Sequence, residues 1–488
     1  MTGLLCLDLG TTSTKAALLD LRGRTLATGD APHPTTRTAD GGTEQDPADW
    51  ARSARDAIAP VLPATDGIAA LCLTGQMQDL ILESEQGAVR PAVLYTDLRA
   101  TTEAAEIRAD LAEAGVDWDQ LAGNRQDASS CAAMFRRLAR VEPDAIPRTR
   151  GLVFGPAGHL AHLLGAGLHC DPTTAATTGL LDARTRDWSP DVARAAGINP
   201  ALLPRLTSGA GEIVGLTDAR AEALLGMPAG VPIVLAPGDA GAAALGITGL
   251  APGRDHVSLG TSGWLARVRP ATETLTADDA SHRLALPRGT VLHISAILAA
   301  GAAAAWARET HLRGASTAEA DALIAQRTRT HGRGPTGLLT LPSLSGERFP
   351  VRDESLRGAV LGLTTSTTPV DLYAGMLEGV ALALSHALDE SREVLPVVGG
   401  GAASAPWRRI LADVTGRPVR AVDGSEATLH GAALAGAEAL GLEHDLAPLA
   451  DRSGETTEPD PSAAAAFAAL RPAHRTLYDA AAAVTRLT

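Results

Sequence analysis

The 488-residue chain is 45% hydrophobic and 20% charged, enough apolar material for more than one buried core, so two globular domains are expected. Its 42 basic against 56 acidic side chains leave a formal charge of -14, which repels nucleic-acid backbones and anionic lipid headgroups and argues against both as partners. Four widely spaced cysteines, Cys6, Cys72, Cys131 and Cys170, form no paired motif of a zinc site or disulfide framework and suit a reducing cytoplasm, and no segment reads as an export leader or a membrane span.

The apolar run carrying Leu7-Asp8-Leu9 predicts a strand, a tight turn at Gly10-Thr11-Thr12-Ser13 and a returning strand over residues 16–19. Asp46-Pro47 predicts a capped helix start, with Trp50, Ala54, Ala57, Ile58 and Val61 on its buried face. Strands at 68–74 and 80–83 flank the polar corner Gly75-Gln76-Met77-Gln78-Asp79. A short helix over 156–168 carries His159 and His162, followed by His169 and Cys170, at a spacing that cannot bring all four onto one metal ion. A strand at 231–235 ends at Pro237-Gly238-Asp239, ahead of an alanine-rich helix.

The first turn then recurs half a chain later. Val257-Ser258-Leu259-Gly260-Thr261-Ser262-Gly263 repeats the strand and turn, and residues 264–268 repeat the returning strand. Such duplication implies two related α/β domains, with a boundary near residues 246–253, that is 1–246 and 247–488. Further on, the alanine-rich stretch 294–306 is expected to be one buried helix. A helical stripe over 370–390 precedes a strand at 393–398, which leads into Gly399-Gly400-Gly401.

A glycine followed by hydroxyl residues in a tight turn can surround phosphate oxygens with backbone N–H and short O–H donors. Two such turns facing one another can hold a polyphosphate, which makes Gly10, Thr11, Thr12, Gly260, Thr261 and Ser262 candidates. Asp8 in the first copy is Ser258 in the second, so one side alone offers a carboxylate for a phosphate-bound magnesium ion; a turn-stabilising role is the plainer alternative. Lys15 can reach a phosphate or stand as an ordinary exposed strand-end lysine. Asp239 falls where a strand gives way to a helix, the place at which α/β sheets present ligand-contacting groups. There it can accept a proton from an attacking hydroxyl or serve only to cap the helix.

In chain order, Leu7-Asp8-Leu9-Gly10-Thr11-Thr12-Ser13, Gln45-Asp46-Pro47, Gly75-Gln76-Met77, Asp97-Leu98-Arg99, Gly238-Asp239, Ser258-Leu259-Gly260-Thr261-Ser262, Leu344-Ser345-Gly346-Glu347-Arg348 and Gly399-Gly400-Gly401-Ala402 resemble the FGGY family of carbohydrate kinases, within the actin, heat-shock ATPase and hexokinase fold superfamily. The resemblance runs almost end to end. It implies two ribonuclease H-like domains closing over a cleft, with the sugar held chiefly by the first and ATP chiefly by the second. It assigns Asp239 the catalytic-base role, puts Gly400, Gly401, Ala402 and Ser404 near adenine and ribose, and brings Gln76, Met77, Gln78, Tyr95 and Asp97 to the sugar.

The xylulokinase-like branch is the nearest in pattern, implying ATP and Mg2+ as cofactors, a small carbohydrate such as a ketopentose as substrate, and phosphorylation at a primary hydroxyl. A homodimer is left open. Two departures touch expected substrate positions: Met77-Gln78 where that branch commonly has Met-His, and Asp239-Ala240 where Asp-Asn is common. They admit another ketose, a sugar acid or a polyol as acceptor. Readings of a different class are an actin-like ATPase and a sugar sensor without turnover.

Overall fold

The computed structural model describes residues 2–64, 67–272, 280–452 and 454–485. The first half is built on β1 (Thr2–Leu9), β2 (Ser13–Leu19), β3 (Thr25–Pro32), α1 (Pro47–Ile58), β4 (Gly67–Gly75), β5 (Glu212–Leu216), β6 (Pro232–Leu235) and α2 (Asp239–Thr248). The second uses β7 (Asp255–Leu259), β8 (Gly263–Pro270), β9 (His282–Leu286), β10 (Thr290–Ile297), α3 (Gly301–His311), α4 (Pro369–Ser385), β11 (Leu395–Val398), α5 (Ala405–Thr415), β12 (Val419–Ala421), α6 (Ala427–Leu440) and β13 (Thr456–Thr457).

The internal repeat is realised as a repeat of topology. The first sheet runs β5-β6-β4-β1-β2-β3, with β1, β2 and β3 an antiparallel meander and β4 and β6 parallel to β1. The second runs β9-β10-β8-β7-β11-β12-β13, with β7, β8 and β10 the matching meander and β11 and β12 parallel to β7. Each predicted turn therefore joins the first two strands of its own sheet.

β1 is apolar at every position from Leu4 to Leu7 because both its faces are covered. Leu5, Leu7 and Leu9 pack with Trp50, Ala54 and Ile58 of α1, while Leu4 and Cys6 pack with Ala432 and Ala433 of α6. The Asp46 side chain caps α1 by accepting from the Ala48 N–H, with Pro47 at the first helical position, as its sequence predicts. The stretch 294–306 departs from expectation: it is the end of β10, a short corner and the first half of α3, not one helix. Ile294 and Ile297 pair across to Ala266 and Gly263, and tertiary pairing overrides the helical preference of the alanines around them.

α6 belongs to the second half of the chain yet lies across the first sheet, and it crosses α2 at glycines. A β-carbon on Gly431 would stand 1.9 Å from the Ala242 carbonyl oxygen, one on Gly246 2.0 Å from that of Ala427, and one on Gly436 2.3 Å from Cys72 Sγ. The edge strand β9 is also pinned to the first half. Asn124 exchanges two 2.6 Å hydrogen bonds with the Arg283 backbone, and the Thr173 hydroxyl donates to the Ala285 carbonyl at 2.9 Å. Among the described residues no helix is long and apolar enough to cross a membrane.

Because backbone cannot withdraw from the α2–α6 crossing, Gly431→Ala is expected to destabilise the protein by about 1–3 kcal/mol, and Gly400→Ala, whose β-carbon would meet nothing within 4 Å, by less. Denaturant unfolding of the two variants checks this; equal stability would show that the crossing is not tight in solution.

Candidate active site

Both turns are held from behind through their carbonyl groups. In the first, Gly10 N–H closes on the Ser13 carbonyl at 3.0 Å, His33 N–H donates to the Thr12 carbonyl at 3.1 Å, and the Gln45 amide donates to the Thr11 carbonyl at 2.7 Å. The His33 ring lies between the Gly10 carbonyl, 3.0 Å from Nε2, and the Ser53 hydroxyl, 3.1 Å from Nδ1. In the second, the N–H groups of Ala300 and Ala302 donate to the Thr261 carbonyl at 3.0 Å, and that of Gly301 to the Gly260 carbonyl at 2.8 Å. Thr12, Thr261 and Ser262 remain exposed, leaving short hydroxyl side chains on the open side of each turn.

Asp239 is placed by a rigid corner. The Thr74 hydroxyl donates to the Pro237 carbonyl at 2.6 Å, and Asp171 accepts the Gly238 N–H at 2.9 Å while capping Thr173 and Thr174. Asp8 is the register partner of Thr74 on one side and of Lys15 on the other, which brings it toward Asp239. Desolvation, then the charges of Asp8 and Asp171, push the Asp239 carboxyl up to about 7, against a hydrogen bond from the Ala240 N–H. Burial likewise pushes Asp8 up to about 6, offset in part by Lys15.

Asp8 Oδ1 is buried with no hydrogen-bond partner in the protein, and such an orphaned carboxylate oxygen fits a hydrated divalent cation. Among the described residues no group of three or more His, Cys, Asp and Glu side chains could hold an ion unaided, so phosphate and water oxygens would supply most ligands. The His159 cluster is not such a group: His159 pairs with buried Glu83.

The expected sugar-side residues divide into two sets. Gln76 is buried, its amide donating to Gln45 Oε1 at 2.9 Å, and its own Oε1 has no partner. Met77 packs on the Asp239 corner: a β-carbon on Gly238 would stand 2.4 Å from the Met77 sulfur. Gln78 adopts φ 67° and donates to Ser129 O and Oγ at 2.8 and 2.9 Å, and Tyr95 is 39% exposed. Asp97 is different. It is buried and saturated by the Thr43 N–H at 2.9 Å and by the Arg99 guanidinium and N–H, and it lines a separate groove with Arg137 and Met134.

On the other side, Gly399, Gly400 and Ala402 line a cavity of about 600 Å³ together with residues 421–425, Ala427 and Thr428 and with Ala243 and Ile247 of α2. Gly401 lies behind this wall, where a β-carbon would meet Leu259 at 2.7 Å and the Trp407 ring at 2.8 Å. Trp407 is thus a buried support beneath the loop. Ser404 caps α5 by accepting the Trp407 N–H at 3.2 Å and donates to Asp321 at 2.7 Å. Sequence reasoning missed the 421–428 wall, whose small residues carry no motif, and the supports His33, Thr74 and Asp171, which act through backbone groups.

Duplicated sheets with a glycine turn at the end of each first strand, an apolar cavity beside the second turn and a raised carboxyl near the strand that leads into the first define a phosphotransferase of the actin- and hexokinase-like fold. Family models agree: residues 4–246 match the N-terminal domain and 256–440 the C-terminal domain of the FGGY family of carbohydrate kinases. The chain is 32% identical to a xylulose kinase of Streptomyces rubiginosus over 89% of its own length and 87% of the relative's. It is 31% identical to one of Escherichia coli K12 over 84% of each. A crystal structure of xylulose kinase from Rhodospirillum rubrum superposes with TM-score 0.87 at 27% identity, covering 99% of this chain and all of that one. The chain belongs to the FGGY family of carbohydrate kinases, whose phosphoryl donor is ATP.

Raised carboxyl groups bind protons more tightly in the folded than in the unfolded chain, where an aspartate titrates near about 4. Their stabilising contribution is therefore complete below about pH 4 and is lost as pH rises through the folded values of about 6 for Asp8 and about 7 for Asp239. Asp239→Asn is expected to lose less stability than wild type between pH 5 and pH 8 in thermal melts without nucleotide. Parallel losses would show that Asp239 titrates normally.

Proposed function

We propose that this kinase transfers the γ-phosphoryl group of MgATP to a primary hydroxyl of a ketopentose such as xylulose, with Asp239 as the base. The observation that carries this reading is Asp239 at the start of α2, directly after a Pro237–Gly238 backbone held by Thr74 and Asp171, its carboxyl bonded by the Ala240 N–H and poised near neutrality, where a base can be ionised yet still accept a proton. The xylulose kinase relatives supply the acceptor class. In this reading residues 1–246 chiefly hold the sugar, through Gln76, Met77, Gln78 and Tyr95, and residues 247–488 hold most of the nucleotide.

The Gly10-Thr11-Thr12 and Gly260-Thr261-Ser262 turns surround the phosphates, assisted by Lys15. The cavity walled by Gly400 and Ala402 takes adenine and ribose, while Gly401 and Ser404 shape that wall from behind. Asp97 acts on the sugar side indirectly, by tying Arg99 and the Thr43 backbone. Mg2+ bound near Asp8 would offset phosphate charge. Closing of the two halves excludes water, which would otherwise compete as acceptor.

One observation favours a second reading, an acceptor bearing a carboxylate. Arg352 lies 3.9 Å from Asp127, joining the two halves, and burial, then Arg125 and Arg348, pull its pKa down against the charges of Asp127 and Glu354. Burial and the charges of Arg348 and Arg352 also hold His282 below its ordinary value. Such a concentration of positive charge in an acidic protein suits an anionic end group.

ADP formation with pentuloses, hexuloses, polyols and sugar acids discriminates these readings. A ketopentose is expected to give the highest kcat/KM, and highest turnover with a sugar acid would establish the second reading. Asp239→Ala is expected to cut kcat by about 10²–10⁴-fold, and the wild-type kcat/KM is expected to fall below about pH 7 as the base is protonated. Retained turnover in Asp239→Ala would remove it as the base.

A further inference from the structure

Glu347, in the Leu344–Arg348 motif, lies outside the two turns and the sugar-side residues, yet it is only 1% exposed and both its carboxylate oxygens are engaged. Oε1 accepts the backbone N–H groups of Leu298 at 3.1 Å and Arg348 at 2.9 Å, and Oε2 accepts the Ser343 hydroxyl at 2.6 Å. Its backbone exchanges hydrogen bonds with Asp353 at 2.8 and 2.9 Å, which fixes the loop. A carboxylate taken so far from water is tolerated because several donors converge on it, and removing it leaves those donors unpaired.

What it holds is the corner behind the second turn. Leu298 follows directly on β10, and two to four residues further along the chain the N–H groups of Ala300, Gly301 and Ala302 grip the Thr261 and Gly260 carbonyls. There is no slack at this contact, since a β-carbon on Gly301 would stand 2.5 Å from the Gly260 oxygen. Glu347, Leu298, the start of α3 and the second turn therefore form one continuous support. The first turn has a different support, made by His33 and Gln45, so the two copies share their turn sequence but not the residues that brace it.

We propose that Glu347 is a positioning residue for phosphoryl transfer, fixing the β10–α3 corner so that the second turn keeps the shape that receives nucleotide phosphates. This rests on the reading of the Gly260 turn as a phosphate site. Displacement of that turn by a fraction of an ångström alters nucleotide binding and leaves the sugar side, built on the other half of the chain, in place.

The test compares ADP binding by calorimetry with steady-state KM values in the full chain. Glu347→Ala is expected to weaken ADP binding and raise the KM for ATP by about 10- to 100-fold, with the sugar KM changed less than about twofold. Glu347→Gln keeps an oxygen for the Leu298 and Arg348 donors and is expected to recover most of the loss. Unchanged ADP affinity in folded Glu347→Ala, or equal weakening toward ADP and sugar, overturns the proposal. If Glu347→Ala does not fold, Glu347→Asp, too short to reach Ser343 and Leu298 together, decides by the same ratio. Gly260→Val separates the premise: undiminished ADP binding there removes the phosphate reading of the turn and the proposal with it, whereas loss there with retention in Glu347→Ala removes the proposal alone.

Discussion

The close crossing of α2 and α6 is the constraint on which the rest of the molecule depends. α2 carries Asp239 at its first residue, and α6, from the far half of the chain, meets it where Gly246 and Gly431 bring backbone against backbone. Side chains larger than hydrogen would force the helices apart. Since α6 also packs Ala432 and Ala433 onto the face of β1 that bears Leu4 and Cys6, the same contact fixes the strand that leads into the first turn. One glycine-lined interface thus sets the Asp239 carboxyl, the first turn and the apolar cavity on α2 in a common frame, while leaving the outer parts of each half free to approach.

Within that frame, the groups proposed to face the substrate are held by neighbours that saturate their other hydrogen-bonding capacity. Turn carbonyls are occupied by His33, Gln45 and the start of α3; the Pro237–Gly238 backbone is occupied by Thr74 and Asp171. Among the expected site residues, Asp8 Oδ1 and Gln76 Oε1 are buried without a partner, and each is a place where a ligand atom can complete the hydrogen bonding. Crowding Asp8, Asp171 and Asp239 costs stability through mutual repulsion and desolvation, and in return it holds a carboxyl near the proton affinity that a base requires at neutral pH.

Much of this was legible in the sequence wherever a local pattern carries its own physics. The repeated Leu-Gly-Thr turns, the Asp46-Pro47 helix start and the Pro237-Gly238-Asp239 corner are specified by a few adjacent residues, and each lies where the pattern puts it. The stretch 294–306 departs from its sequence pattern because alanine and isoleucine suit a buried helix and a central strand alike, and only pairing with Ala266 and Gly263 decides between them. Asp97 and Ser404 lie where expected along the chain, but their side chains are spent on Arg99, Thr43 and Asp321, which no sequence spacing reveals. The wall at 421–428 and the supports behind the turns were invisible for a related reason: they contribute shape and backbone contacts across hundreds of residues.

A structure of the chain with ADP and its acceptor sugar tests the central claim most directly. The expected result places the acceptor's primary hydroxyl within hydrogen-bonding distance, about 3 Å, of the Asp239 carboxylate, with the nucleotide phosphates between the Gly10 and Gly260 turns and the adenine in the cavity beside Gly400. An acceptor hydroxyl turned away from Asp239, or phosphates bound clear of both turns, would contradict it.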